Sequence, residues 1–251
     1  MLPELDHQVL RTLEGFGASN ITLVEWETPL LSRLGYPLAS KRDFIFLVPE
    51  DQIQAASSIA TANGLKLAQD NDVPSAYLSE FAKQGFRYVY GEPKSRFILL
   101  PLSWVGIEED ELSAIVATDQ SLPCTIWTVS LSTFCAAYLR IITRESKGSR
   151  VRVMAIADLS GVIAYGMFDM SYEGSYLTTP EDDSVDEGVE FREDVHEDDA
   201  ASAEKEALEM KNALDKIRGW SFRKNEDWNR DMLVRLVSGT LRYEDLPSNE
   251  A

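Results

Sequence analysis

Apolar and polar positions alternate at a helical period from the start of the chain. Leu5, Val9, Leu10 and Leu13 share one face, and Gly15 with Gly17 predicts the end of that helix. A strand is predicted over 21–26 and a short helix over 29–34, closed by Gly35. Phe44-Ile45-Phe46-Leu47-Val48 is continuous, apolar and rich in β-formers, the pattern of a buried strand. Behind it, Pro49, acids in the first turn and the spacing of Ile53, Ala56 and Ile59 predict a helix over 50–63, then a short strand over 65–68. A polar stretch over 69–84, with a short helix over 75–83, leads into strands over 86–90 and 96–100. From there the period is helical, with helices expected over 108–117, 130–144, 150–170, 201–218 and 228–238. The order predicts an α+β fold: a small mixed β-sheet over residues 1–105, followed by a helical C-terminal half over 106–251.

Composition adds limits rather than identity. Hydrophobic residues at 44% and charged residues at 26% exclude a wholly disordered or collagen-like chain. No apolar run is long enough to cross a membrane, and the first residues carry acids instead of an apolar leader, so a cytoplasmic location is expected. Cys124 and Cys135 lack metal-ligand spacing and read as reduced core thiols. The net charge of −18 disfavours nucleic-acid partners, tRNA included. That charge is uneven. Between Glu181 and Asp199 stand eleven acids and one base, Arg192, so residues 178–200 are expected to form a mobile acidic loop. Arg140, Arg144, Arg150 and Arg152, with Lys147, make a basic segment that could hold phosphate or receive that loop; the alternative is a helix end and turn with solvated charges.

The passage Trp26-Glu27-Thr28-Pro29-Leu30-Leu31-Ser32-Arg33-Leu34-Gly35-Tyr36, followed by Lys41-Arg42-Asp43-Phe44-Ile45-Phe46-Leu47-Val48-Pro49-Glu50-Asp51-Gln52-Ile53, resembles the nucleotidyltransferase fold. The resemblance is to its minimal branch, with the AbiEii-type toxins and small antibiotic nucleotidyltransferases, and is closer still to a group of uncharacterised fungal proteins. It covers about residues 1–105, and more loosely the helical region to about 170. The family pattern is a Gly-Gly-Ser/Thr helix start, an Asp-x-Asp strand and a third carboxylate on a later strand. These hold Mg²⁺ against a triphosphate. Here Thr28 keeps the hydroxyl and Asp43 the first aspartate, while Trp26 and Glu27 replace the glycines, Ile45 replaces the second aspartate, and the strand over 96–100 has no carboxylate.

The resemblance therefore implies a degenerate metal site. Its candidate catalytic residues are Asp43, Glu27 and Thr28, with Asp43 the surviving ligand for Mg²⁺ and Glu27 a possible substitute carboxylate. Asp43 has a second reading, as a strand-start carboxylate paired with Arg42 or Arg33. Lys41 and Arg42 stand where they could meet a phosphate, and Tyr88 with Tyr90 shares one strand face as a candidate pocket wall. Only two histidines occur, His7 in the first helix and His196 in the acidic segment; neither is placed as a base, and hydrolase chemistry is rejected on that ground. Three functions are expected. The first is a diverged protein binding a nucleotide or small molecule in the ancestral cleft without two-metal chemistry. The second is an active transferase on a nucleotide or aminoacyl-tRNA-type substrate, and the third is an interaction module built on the acidic loop.

Overall fold

The computed structural model describes residues 6–36, 43–114, 123–168 and 196–249. It is an α+β protein whose elements run α1 (His7–Ala18), β1 (Leu23–Glu25), α2 (Thr28–Arg33), β2 (Phe44–Val48), α3 (Ile53–Ala62), β3 (Lys66–Leu67), α4 (Leu78–Ala82), β4 (Phe86–Tyr90), β5 (Ser95–Pro101) and α5 (Leu102–Val105). They continue as β6 (Ser113–Ala114), β7 (Ile126–Thr128), α6 (Leu131–Arg144), α7 (Arg150–Met167), α8 (His196–Arg218) and α9 (Trp228–Val237). The seven strands form one mixed sheet in the order β3-β4-β5-β2-β1-β7-β6. The pairs β2–β5 and β1–β7 are parallel and the other four antiparallel. No helix among the described residues is long and apolar enough to cross a membrane.

Alternation along the strands sorts side chains onto two faces. On one, Leu23, Phe46, Val48, Tyr88, Phe97 and Leu99 pack with Val9, Leu13 and Phe16 of α1 and Ile53, Ala56 and Ala60 of α3. On the other lie buried Ile45, Leu47, Ile98 and Leu100, and Trp26 packs edge-on against Phe134 of α6, centroids 4.8 Å apart. The described residues fall into two compact units. One runs to Leu159 and takes in the segment from Pro247; the other is Ser160–Leu246. In the second, α8 packs against α9, with Ala213, Ile217, Leu233 and Leu236 buried.

Several expectations change. Helix α1 runs through Gly15 and Gly17, because both glycines mark close approach instead of a stop. A Cβ on Gly15 would lie 2.7 Å from Ile59 Cγ2 of α3, and one on Gly17 2.8 Å from the Pro123 carbonyl oxygen. The helix expected over 108–117 is a single 3₁₀ turn, Glu109–Glu111, followed by β6, since pairing with β7 claims Ser113 and Ala114. The sheet thus extends beyond residue 105, to Thr128. Helix α8 begins at His196, five residues before the expected start at 201, which removes 196–200 from the expected acidic loop. The remainder of that loop, 178–195, lies outside the described residues. Neither Cys124 nor Cys135 is in a disulfide, and burial pushes Cys124 up to about 11.

Candidate functional site

The turn joining β1 to α2 carries the three residues expected at the helix start. Trp26 N–H donates to the Ile45 carbonyl at 3.0 Å, holding the turn on β2. Glu27 then adopts φ 46° and ψ −112°, a left-handed conformation that glycine reaches freely and that strains any residue with a Cβ. The backbone shape is thus that of a glycine position, but the side chain is a carboxyl, only 2% exposed. Ser79 of α4 meets it twice, its N–H at 3.0 Å and its hydroxyl at 3.3 Å. Burial pushes the Glu27 carboxyl up to about 8. Asp158 raises it further while the Ser79 bonds oppose the shift, so Glu27 is protonated at neutral pH. Burial also raises Asp158 to about 6 and holds the Tyr138 phenol well above its usual range. Thr28 is buried, with its hydroxyl close enough to the Tyr77 phenol to act on its ionisation.

Asp43 precedes β2, and the parallel register Phe44↔Phe97 sets it beside Arg96 of β5. Its Oδ1 accepts from Arg96 N–H at 2.8 Å; its Oδ2 accepts from Arg96 Nη1 at 2.9 Å and from the Tyr77 hydroxyl at 2.8 Å. Arg96 Nε forms a second ion pair, with Glu80 of α4 at 2.6 Å, and its guanidinium lies over the Tyr77 ring. The pairing of Asp43 with Arg33 is therefore corrected: Arg33 binds Glu25, Thr128 and the Val129 carbonyl. Lys41 and Arg42 lie outside the described residues.

This arrangement does not suit Mg²⁺. Both oxygens of Asp43 already receive donors, the neighbouring charge is a guanidinium, and Glu27 is protonated and bound to Ser79. Among the described residues no three His, Cys, Asp or Glu side chains are grouped to hold a metal ion. No step of a two-metal transfer can be built from these groups.

Beside the Asp43–Arg96 pair lies a cleft of about 240 Å³, within the first unit. Its floor is the sheet face carrying Val89 and Ile98. Glu80, Lys83, Arg87 and Arg96 line it together with Gln69, Asp70, Val73 and Ser75 from the segment after β3. Arg87 donates to the Gln84 carbonyl at 2.6 Å and to the Ser79 carbonyl, and burial pulls its guanidinium below its usual range. Its Nε–H is buried without an acceptor among the described residues.

The other expected site residues go elsewhere. Tyr88 and Tyr90 are buried in the α1–α3 core, and Tyr88 also borders the cleft. The Tyr88 hydroxyl is 2.8 Å from Ser57 Oγ of α3, and the Tyr90 ring packs by Phe44. The basic segment does not gather into a phosphate site. Arg140 pairs with Glu111 at 2.9 Å. Arg152 is buried, donating to the carbonyls of Ile142 and Pro247. Arg144 and Arg150 are exposed, and Arg150 lies over the Phe81 ring at 4.5 Å. Asp43, Glu27 and Thr28 do come together around α4. The groups that sequence reasoning missed are Arg96, Arg87, Ser79, Glu80 and Asp158. A signal for two of them was present: a cation inside each of two otherwise apolar strands, Phe86-Arg87-Tyr88 and Arg96-Phe97-Ile98. With this geometry in place, the chain matches no family model, and comparison with curated proteins and with solved structures yields no significant match.

Proposed function

We propose that the chain is a diverged, nucleotidyltransferase-like protein that binds a nucleotide or other small molecule in the cleft beside Asp43, without metal-dependent chemistry. The observation that carries this reading is the closure of Asp43 by Arg96 and Tyr77. An aspartate whose oxygens are all committed to internal donors is a structural anchor, and the arginine beside it supplies the positive charge that an ion would otherwise bring. The cleft's convergent polar lining supports binding. The strained backbone at Glu27 and the protonated carboxyl there hold α4, one wall of the cleft, through Ser79.

The test is a thermal-shift series on the full chain with nucleoside triphosphates and a panel of small metabolites, with Mg²⁺ and with EDTA. A ligand at a hundred times its dissociation constant adds about 2.7 kcal/mol, a rise of several degrees in Tm. The expected result is a rise that is the same with Mg²⁺ and with EDTA, and that weakens in Lys83→Glu, an exposed change at the cleft. A rise that needs Mg²⁺ and disappears in Asp43→Asn would overturn the reading in favour of an active transferase.

A further inference from the structure

The cations that line the cleft differ in what balances them. Arg96 makes ion pairs with both Asp43 and Glu80. Arg87 makes none among the described residues; two of its N–H groups go to main-chain carbonyls, of Ser79 and Gln84, which carry no net charge. A guanidinium has five N–H donors, and the buried Nε–H of Arg87 meets no acceptor among the described residues. Two carboxyls stand near enough to act on it, Glu80 and Glu27. Glu80 is occupied by Arg96 and by the N–H groups of Ala76 and Tyr77, and Glu27 is protonated at neutral pH. Arg87 is thus a half-buried cation without a counterion of its own. A charge withdrawn from water and an orphaned donor both cost stability until an acceptor of opposite charge answers them.

Lys83 lines the same cleft, and the bond from Arg87 to the Gln84 carbonyl sets the guanidinium against the residue next to it. Lys83 closes α4 with φ 54° and ψ 26°, a left-handed conformation that glycine takes without strain and lysine does not. Strain of this kind clusters at binding and active sites. Lys83 is exposed and forms no ion pair or side-chain hydrogen bond among the described residues. We infer, resting on the reading of this cleft as a binding site, that its ligand carries a compact oxyanion, a carboxylate or a phosphate monoester, which docks on Arg87 and Lys83. Arg87 supplies the donors that its two carbonyls leave over, Lys83 meets the anion from the solvent side, and the floor of Val89 and Ile98 receives the rest of the ligand. The carboxylates of Asp70 and Glu80 in the same lining limit the ligand's charge, because like charges at close range reject a triphosphate.

The experiment is isothermal titration of the full chain, free of added metal, with two pairs of probes: AMP with adenosine, and 4-methylpentanoate with 4-methylpentanamide. In at least one pair the anion should bind about tenfold or more tightly than its neutral partner, the value of one charge-assisted hydrogen bond. The pair that shows it tells phosphate from carboxylate. The same anion should shift the Arg87 Nε–H peak in a proton–nitrogen correlation spectrum, a peak assigned by its loss in Arg87→Lys, and the neutral partner should not. Lys83→Gly should lower the anion's affinity about two- to fivefold without lowering Tm, since glycine relieves the left-handed strain; a merely structural lysine would leave affinity unchanged. If both neutral probes bind as tightly as their anions, or an anion binds and the Nε–H peak stays in place, the oxyanion assignment falls and the cleft remains a binding site. If no probe binds to the wild-type chain, both the assignment and the underlying reading fall.

Discussion

Glu27→Gln isolates the most unusual side chain of the site. Glutamine matches a protonated glutamate in shape, and its amide can keep both contacts to Ser79, so the substitution removes a titration and little else. The folded-state carboxyl sits at about 8 against an ordinary 4.5. Between those values the unfolded chain releases a proton that the folded chain keeps, so stability falls as pH rises. This contribution is present in full below pH 4.5, declines by about 1.4 kcal/mol per pH unit, and levels off above pH 8. The whole interval corresponds to a ceiling of about 5 kcal/mol. Urea unfolding at a series of pH values from 5 to 8.5, followed by tryptophan fluorescence, measures it. The difference between Glu27→Gln and wild type should widen in favour of the variant by at least about 2 kcal/mol between pH 5 and pH 8. Asp158, raised by its own burial, titrates in both proteins, and its charge adds to the shift of Glu27 only in the wild type. Parallel curves would show that Glu27 is ionised in the folded protein, and the argument from burial would fail.

Other predictions concern the scaffold around that site. Arg96→Ala leaves the buried carboxylate of Asp43 and that of Glu80 without their cation, and should cost about 3–5 kcal/mol in chemical denaturation, more than the double change Arg96→Ala with Asp43→Ala. Tyr88→Phe removes the bond to Ser57 and should cost about 1 kcal/mol in chemical denaturation. Gly85 and Gly35 both have positive φ, but a Cβ on Gly85 would lie 2.0 Å from the Leu99 carbonyl oxygen and one on Gly35 meets nothing within 4 Å among the described residues. Gly85→Ala should therefore abolish folding, seen as loss of the thermal transition, whereas Gly35→Ala should cost only about 1–2 kcal/mol.

Much of the fold was legible along the chain. Phe44–Val48 and Phe86–Tyr90 are strands at the positions their β-rich composition predicts, because a strand's period and its burial are both local properties. The same locality misled at Gly15 and Gly17, where glycine serves a neighbouring helix and a neighbouring loop. It misled again at β6, where two residues become strand only because β7 lies beside them.

Within the site the division is sharper. The resemblance carried by the sequence grouped Glu27, Thr28 and Asp43 as residues of one candidate site and pointed to an incomplete carboxylate set, since Ile45 stands where a second aspartate would. It could not show what those side chains meet. The partner of Asp43 is Arg96, distant in sequence and adjacent only through the parallel β2–β5 register. Tyr88 turned toward the core because strand alternation assigns faces only after the layer of α1 and α3 is known. Arg140 and Arg152, a basic run on paper, are separated by an ion pair to Glu111 and by burial. The protonation of Glu27 likewise depends on how much water the fold excludes around it and on the approach of Asp158, both products of packing. Residue type and spacing set what each group can do; tertiary structure decided which groups meet and how much solvent surrounds them, because pairing and desolvation are long-range consequences of the fold.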